Sequence, residues 1–198
     1  MPSTKDATLA RRDAVKALLA ERNNLLVVTG LGSPSYDVHA AGDRDDNYYL
    51  WGAMGGAALV GLGLAQAQPA KRVLVITGDG EQLMALGSLA TIAVAKPCNL
   101  VIAVIDNGCY GETGMQTSHT GHGLDLAKVA ASCGFIRTAT LTRLDEVEKL
   151  ALEIEASRDG PSFFVIKVAA DSPPRSLPAR DAVFVKHRFR AALGFAPG

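Results

Sequence analysis

Short apolar, β-branched runs alternate along this chain with longer helical patterns, and that alternation constrains its fold more than any other feature. The runs are Leu25–Thr29, Val73–Thr77, Leu100–Ile105, Phe135–Thr138 and Phe163–Val168. Helical patterns cover about Lys5–Arg22, Met54–Gln66, Leu83–Val94, Asp125–Ser132, Arg143–Ser157 and, after a Pro-rich link at Ser172–Pro178, Ala182–Leu193. A strand buried on both faces reads as a continuous apolar run, and helices must cover both of those faces. The expectation is therefore an α/β fold: an open, mostly parallel sheet with helices on both faces. It should form a single domain over residues 1–198, with its core at about 24–168 and a helical tail at about 179–198. No internal repeat is visible.

Three of the runs end on glycine or Asx loops: Gly30-Leu31-Gly32, Gly78-Asp79-Gly80 and Asp106-Asn107-Gly108. In open α/β sheets ligands bind at the carboxyl edge of the strands, so these loops are the expected site. Any one of them could be a plain turn; three at one edge are harder to read that way. Composition narrows the partners. The chain has 20 basic and 20 acidic residues, which removes the electrostatic case for nucleic acid. The basic tail, Lys186, His187, Arg188 and Arg190, reads as a solvated helix face or a subunit contact. The longest apolar stretches, such as Leu100–Ile105, fall far short of the roughly 20 residues of a membrane span. Met1–Lys16 is polar and charged and lacks the pattern of a secretory signal, so a cytoplasmic setting is expected. Cys98, Cys109 and Cys133 show no CxxC spacing and are expected to be free thiols rather than disulfides or metal ligands.

Asp79 stands between two glycines, after a strand and before a helix. The glycines permit close backbone approach, and the amides of Gly80 and Glu81 lie where a helix start attracts a diphosphate. A carboxylate beside such an anion is unfavourable unless a cation lies between them. Mg2+ suits that place, because it takes one or two side-chain oxygens and completes its octahedron with phosphate and water. Asn107, one helix and one strand later, returns to the same sheet edge as a second oxygen donor. The tight turn Asp106-Asn107-Gly108-Cys109-Tyr110-Gly111 could give a carbonyl as a third.

Gly78-Asp79-Gly80 followed at this spacing by Asn107 resembles the signature of thiamine diphosphate enzymes, a GDG and a spaced Asn usually preceded by another Asn. Here Asp106 takes that preceding place. The resemblance implies that Asp79, the Asn107 side chain and the Cys109 carbonyl hold Mg2+, with Tyr110 and Gly111 in the same cofactor loop. Trp51-Gly52-Ala53-Met54-Gly55-Gly56 resembles a second segment of these enzymes. By that likeness the Gly52 carbonyl accepts from the cofactor's 4′-amino group, Ala53 lies beside it, and Met54 wedges between the two cofactor rings. Without the resemblance Met54 would read as a gap-filling core methionine.

The likeness runs from about Asn24 to Val168 and corresponds to the diphosphate-binding domain alone. The pyrimidine-binding domain, whose glutamate activates the cofactor, has no room here, so a partner subunit supplying it is implied. The resulting hetero-oligomer would hold at least two copies of each chain. The segments Asp106–Thr117 and Thr29–Ser35 resemble the β subunit of sulfopyruvate decarboxylase and the C-terminal part of phosphonopyruvate decarboxylase. The implied activity is decarboxylation of an acidic 2-oxoacid. His119 and His122, after the metal loop, are candidate proton carriers or anion partners, although exposed loop histidines are commoner; Arg44 is a further candidate anion partner. Two alternatives stand beside this reading. One is a carboligase or oxidoreductase using the same cofactor. The other is a non-catalytic Rossmann-like nucleotide module, suggested by Gly30-Leu31-Gly32 but lacking the third glycine of GxGxxG, since position 35 is Ser.

Overall fold

The computed structural model describes residues 9–156 and 158–195. Six strands form one parallel sheet in the order β2-β1-β3-β4-β8-β7. In chain order they are β1 (Leu25–Thr29), β2 (Asn47–Tyr49), β3 (Arg72–Gly78), β4 (Leu100–Asp106), β7 (Arg137–Leu141) and β8 (Ser162–Lys167). A two-stranded antiparallel hairpin, β5 (Cys109–Tyr110) with β6 (Gln116–Thr117), stands apart from the sheet. The helices are α1 (Arg11–Leu18), α2 (Ser33–Ala40), α3 (Ala57–Ala67), α4 (Asp79–Met84), α5 (Ser88–Ala95), α6 (Leu126–Cys133), α7 (Leu144–Ala156) and α8 (Ala182–Ala192).

Strand alternation sorts the apolar side chains into two cores, because successive residues point to opposite faces. Leu26, Val28, Val73, Val75, Ile102, Val104, Phe163 and Val165 meet α3, α5, α6 and α8. Leu25, Val27, Leu74, Ile76, Ala103, Ile105, Phe164 and Ile166 meet α1, α2 and α7. Hence β3 and β4 are apolar almost throughout, whereas β7, at one edge of the sheet, is mixed and half-exposed. Among the described residues no helix is long and apolar enough to cross a membrane.

The expected open parallel sheet with helices on both faces is what forms, and its first strand has the expected bounds. Four elements differ from the reading of the sequence. The helix expected over Leu83–Val94 is two helices, and the first begins at Asp79 itself. No helix was expected over Ser33–Ala40, yet one forms there: Pro34 fits a helix start, and the buried Asp37 is held by Arg11 and Arg12. The fourth expected strand moves from Phe135–Thr138 to Arg137–Leu141, because Phe135 turns inward to pack edge-on against Phe163 at 5.7 Å. The N-terminal helix stops at Leu18, short of the expected Arg22, whose guanidinium instead bonds the Leu25 carbonyl and Asp46. Residues 5–8 of that expected helix lie outside the described residues, as does Ser157 of the expected Arg143–Ser157. Like α2, β2 and the β5–β6 hairpin have no counterpart in the sequence reading.

One topological fact positions the site. After β1 the chain turns to the face that carries α2, and after β3 it turns to the opposite face through α4 and α5. The adjacent strands β1 and β3 thus send their connections to opposite sides, which opens a crevice at their carboxyl ends.

Candidate functional site

That crevice, about 180 Å3, is lined by Leu31 after β1, Ser33 and Pro34 at the start of α2, Gly78 at the end of β3, Asp79 to Glu81 at the start of α4, and Asn107 with Cys109 to Thr113 from the β4 loop and hairpin. Met54, Ile105, Val168 and Arg11 complete the wall. Residues distant in sequence meet here because three neighbouring strands end at one edge.

Asp79 is buried, at 2 % exposure. Ser118 Oγ donates to its Oδ2, and Thr120 Oγ1, whose single proton is shared with the closer Asp106 Oδ1, lies 3.1 Å from the same oxygen. Burial pushes its carboxyl above the ordinary aspartate range, the Ser118 and Thr120 hydroxyls oppose that shift, and the nearby Asp106 carboxylate adds to it. Asp106 is as deeply buried; its Oδ1 accepts from Gly108 N at 2.9 Å and Thr120 Oγ1 at 2.7 Å, and its Oδ2 meets Lys167 Nζ at 2.5 Å. Asn107 closes an Asx turn, its Oδ1 accepting from Cys109 N at 3.0 Å.

The Glu81 side chain has a place that its sequence position did not indicate. Its carboxyl is enclosed at 4 % exposure among the Thr77 hydroxyl and the amides of Ala57, Leu31 and Gly55, without a well-formed hydrogen bond. It therefore sits where the β1 loop, the 52–56 loop and the β3 loop converge. Gly30 is glycine for this reason: a Cβ there would lie 1.6 Å from Glu81 Oε2. Gly80 likewise makes way for the Tyr110 ring, whose Cε1 a Cβ would approach to 2.5 Å.

Burial raises the Glu81 pKa above its ordinary 4.5. The folded state then binds this proton more tightly than the unfolded chain does. Its stabilising contribution is complete below 4.5 and is lost as pH rises through the folded value. Glu81→Gln should flatten the stability profile above 4.5, with the native protein losing stability toward neutrality more steeply than the variant. Urea melts at a series of pH values test this; parallel slopes would contradict it.

The donors fit a metal-bound diphosphate. Both hydroxyls on Asp79 fall on Oδ2, and Oδ1 has no side-chain partner among the described residues. Asn107 Oδ1 keeps a lone pair, since a carbonyl oxygen carries two. Among the described residues no three His, Cys, Asp or Glu converge into a self-contained metal cage. A divalent ion here would have to draw further oxygens from a ligand, as Mg2+ does with phosphates.

Of the residues singled out from sequence, Met54, Gly78, Asp79, Gly80, Glu81, Asn107, Cys109, Tyr110 and Gly111 line the one crevice. Gly52 and Ala53 lie outside it and are exposed, and Met54 is partly so, so this segment forms an open rim. His119 and His122 are exposed and outside the crevice; His119 Nδ1 reaches the Tyr110 hydroxyl at 3.3 Å. Arg44 belongs elsewhere: it pairs with Asp46 and the Asn23 carbonyl, beside the amino ends of β1 and β3. Sequence reasoning missed Arg11, Ser33, Ser118, Thr120 and Lys167. The last three carry no local motif and find Asp79 and Asp106 only through the fold. Arg11, at 5 % exposure, ion-pairs with Asp37 at 3.0 Å and donates to Ser33 Oγ at 2.6 Å.

Residues 35–168 match the thiamine pyrophosphate enzyme family at its C-terminal TPP binding domain. Over 202 residues the chain is 38% identical to a phosphonopyruvate decarboxylase of Streptomyces viridochromogenes, covering 99% of this chain and 49% of that protein. It is 44% identical over 124 residues to sulfopyruvate decarboxylase subunit beta of Methanocaldococcus jannaschii, covering 63% of this chain and 65% of the subunit. Against the corresponding subunit beta of Methanothermobacter thermautotrophicus it is 37% identical over 185 residues, covering 90% of this chain and 95% of the subunit. The chain thus spans about half of the first relative and nearly all of the third. The fold is similar to that of benzoylformate decarboxylase from Polynucleobacter necessarius, with TM-score 0.69 at 20% identity over 88% of this chain and 36% of that one.

Proposed function

The chain belongs to the thiamine pyrophosphate enzymes, as their C-terminal TPP binding domain, and from that membership we propose that it is the thiamine diphosphate- and Mg2+-binding subunit of a two-subunit 2-oxoacid decarboxylase. The observation that carries the reading is the enclosed Asp79 sharing one crevice with Asn107. Asp79, Asn107 and the Cys109 carbonyl would hold the ion. Gly80 and the β1 loop would receive the diphosphate. Gly52, Ala53 and Met54 would support the pyrimidine end from the exposed rim.

When bound, thiamine diphosphate supplies the nucleophilic carbon and the electron sink for loss of carbon dioxide. This chain's residues anchor and orient. Glu81 fills the junction of the three loops that would meet the cofactor, and Ser118 and Thr120 hold the Asp79 carboxylate in place. Tyr110 lies over Gly80 and closes one side of the crevice against water. The activating glutamate and the rest of the substrate pocket come from a partner subunit with the pyrimidine-type domain, in a cytoplasmic hetero-oligomer. An acidic 2-oxoacid, sulfopyruvate or phosphonopyruvate, is the substrate supported by the names of the relatives. The Rossmann-like alternative is disfavoured at position 35, where Ser35 is buried and donates to the Gly30 carbonyl at 2.8 Å.

The test is to tag this chain in its native host, isolate the complex, and measure carbon dioxide release from sulfopyruvate, phosphonopyruvate and pyruvate with Mg2+ and thiamine diphosphate. The expected result is a second subunit and turnover of one acidic substrate well above pyruvate. Full-rate decarboxylation by this chain alone would overturn the two-subunit reading, and a complex inert toward all three would overturn the decarboxylase.

A further inference from the structure

We propose that Lys167 is a positioning residue that withholds Asp106 from the divalent ion, so that Asp79 is the one member of this carboxylate pair that the ion meets. The inference rests on the metal reading above and goes beyond it, because it concerns a pair of residues that need not touch ion or cofactor.

Asp79 and Asp106 are one hydroxyl apart: Thr120 Oγ1 lies 3.1 Å from Asp79 Oδ2 and 2.7 Å from Asp106 Oδ1. Two buried carboxylates so close would form a second ligand set, drawing a divalent ion inward and repelling a polyanionic cofactor. Every oxygen of Asp106 is instead engaged elsewhere. Oδ1 is taken by Gly108 N and the Thr120 hydroxyl, and Oδ2 by Lys167 Nζ at 2.5 Å. Lys167 is placed by the sheet, since it is the register partner of Asp106 across β4 and β8. The pair carries no net charge, as a neutral amide at position 106 would.

The test uses the native complex purified through a tag on this chain, with Mn2+ as the probe ion. Free Mn2+ is followed by electron paramagnetic resonance, with and without thiamine diphosphate. Lys167→Met should bind Mn2+ about tenfold more tightly without cofactor, and bind thiamine diphosphate about tenfold more weakly at saturating Mn2+, the size of one unit charge acting through partly wet protein. A site merely loosened by the substitution would weaken both. Asp106→Asn, which keeps Lys167, should move both affinities the opposite way, and Asp106→Asn with Lys167→Met should return both to within about twofold of native, as coupled neighbours do. Unchanged affinities in Lys167→Met, weakening of both, or a double variant no different from Lys167→Met would overturn the proposal. Should Lys167→Met not fold, Asp106→Asn decides: no weakening of Mn2+ binding there overturns it. A native complex that takes up no Mn2+ in either condition removes the metal reading and this inference together.

Discussion

Asp79→Ala should lower the affinity of the assembled protein for thiamine diphosphate in the presence of Mg2+ by about a hundredfold or more, while the chain itself stays folded. The loss follows from position. Asp79 keeps Oδ1 clear of its hydroxyl partners, and without it only the neutral oxygens of Asn107 and the Cys109 carbonyl would be offered to the ion. Folding should survive, because the hydroxyls keep partners without it: Ser118 Oγ lies 2.9 Å from Thr120 Oγ1, which reaches Asp106 Oδ1. Removing a carboxylate whose burial already disfavours its charge also relieves desolvation. Titration calorimetry of the complex with and without Mg2+ measures the effect. Equal affinities for native and variant would remove the metal assignment, and a variant that melts early would mean that Asp79 serves the fold.

Gly30→Ala should cost about 3 kcal/mol, by overpacking and by displacing a buried carboxyl from its few donors. The methyl would meet Glu81 Oε2 at 1.6 Å, Glu81 Cδ at 2.5 Å and Thr77 Oγ1 at 2.8 Å. The carboxyl is walled in by three loops and cannot swing into water, so the β1 and β3 loops must separate. In thermal unfolding that is a drop of roughly 6–12 °C for a domain of this size. Glu81→Ala in the same chain removes the worst collision, so the double variant should melt above Gly30→Ala. Gly30→Ala melting with the native protein would show that the loops give way freely.

The long apolar strands and their parallel pairing were legible because covering a sheet on both faces forces continuous apolar runs, and a crevice does open at the carboxyl edge. Gly78-Asp79-Gly80 and Asn107 were legible because their spacing returns both to that edge. Much else had no local signal. Asn47–Tyr49 is three residues long and becomes a strand only by pairing with β1. Helix α2 was not expected and is held by Arg11 and Arg12 reaching Asp37 from another helix. The Glu81 amide was read beside the diphosphate, but nothing local foretold that its carboxyl is enclosed at the junction of the loops. Ser118, Thr120 and Lys167 are ordinary residues until the chain folds around Asp79 and Asp106.

The registration of Lys167 opposite Asp106 bears on how such a site can change over evolutionary time. Loops and helices between strands can lengthen or shorten, and the ladder of β4 against β8 still returns the same two residues to face each other. A slip of β8 by one residue is not a small perturbation, because side chains alternate faces. It would set Ile166 or Val168 against Asp106 in place of the ammonium. The charge arrangement is therefore indexed in whole steps by the sheet, tolerant of drift in length and intolerant of drift in pairing.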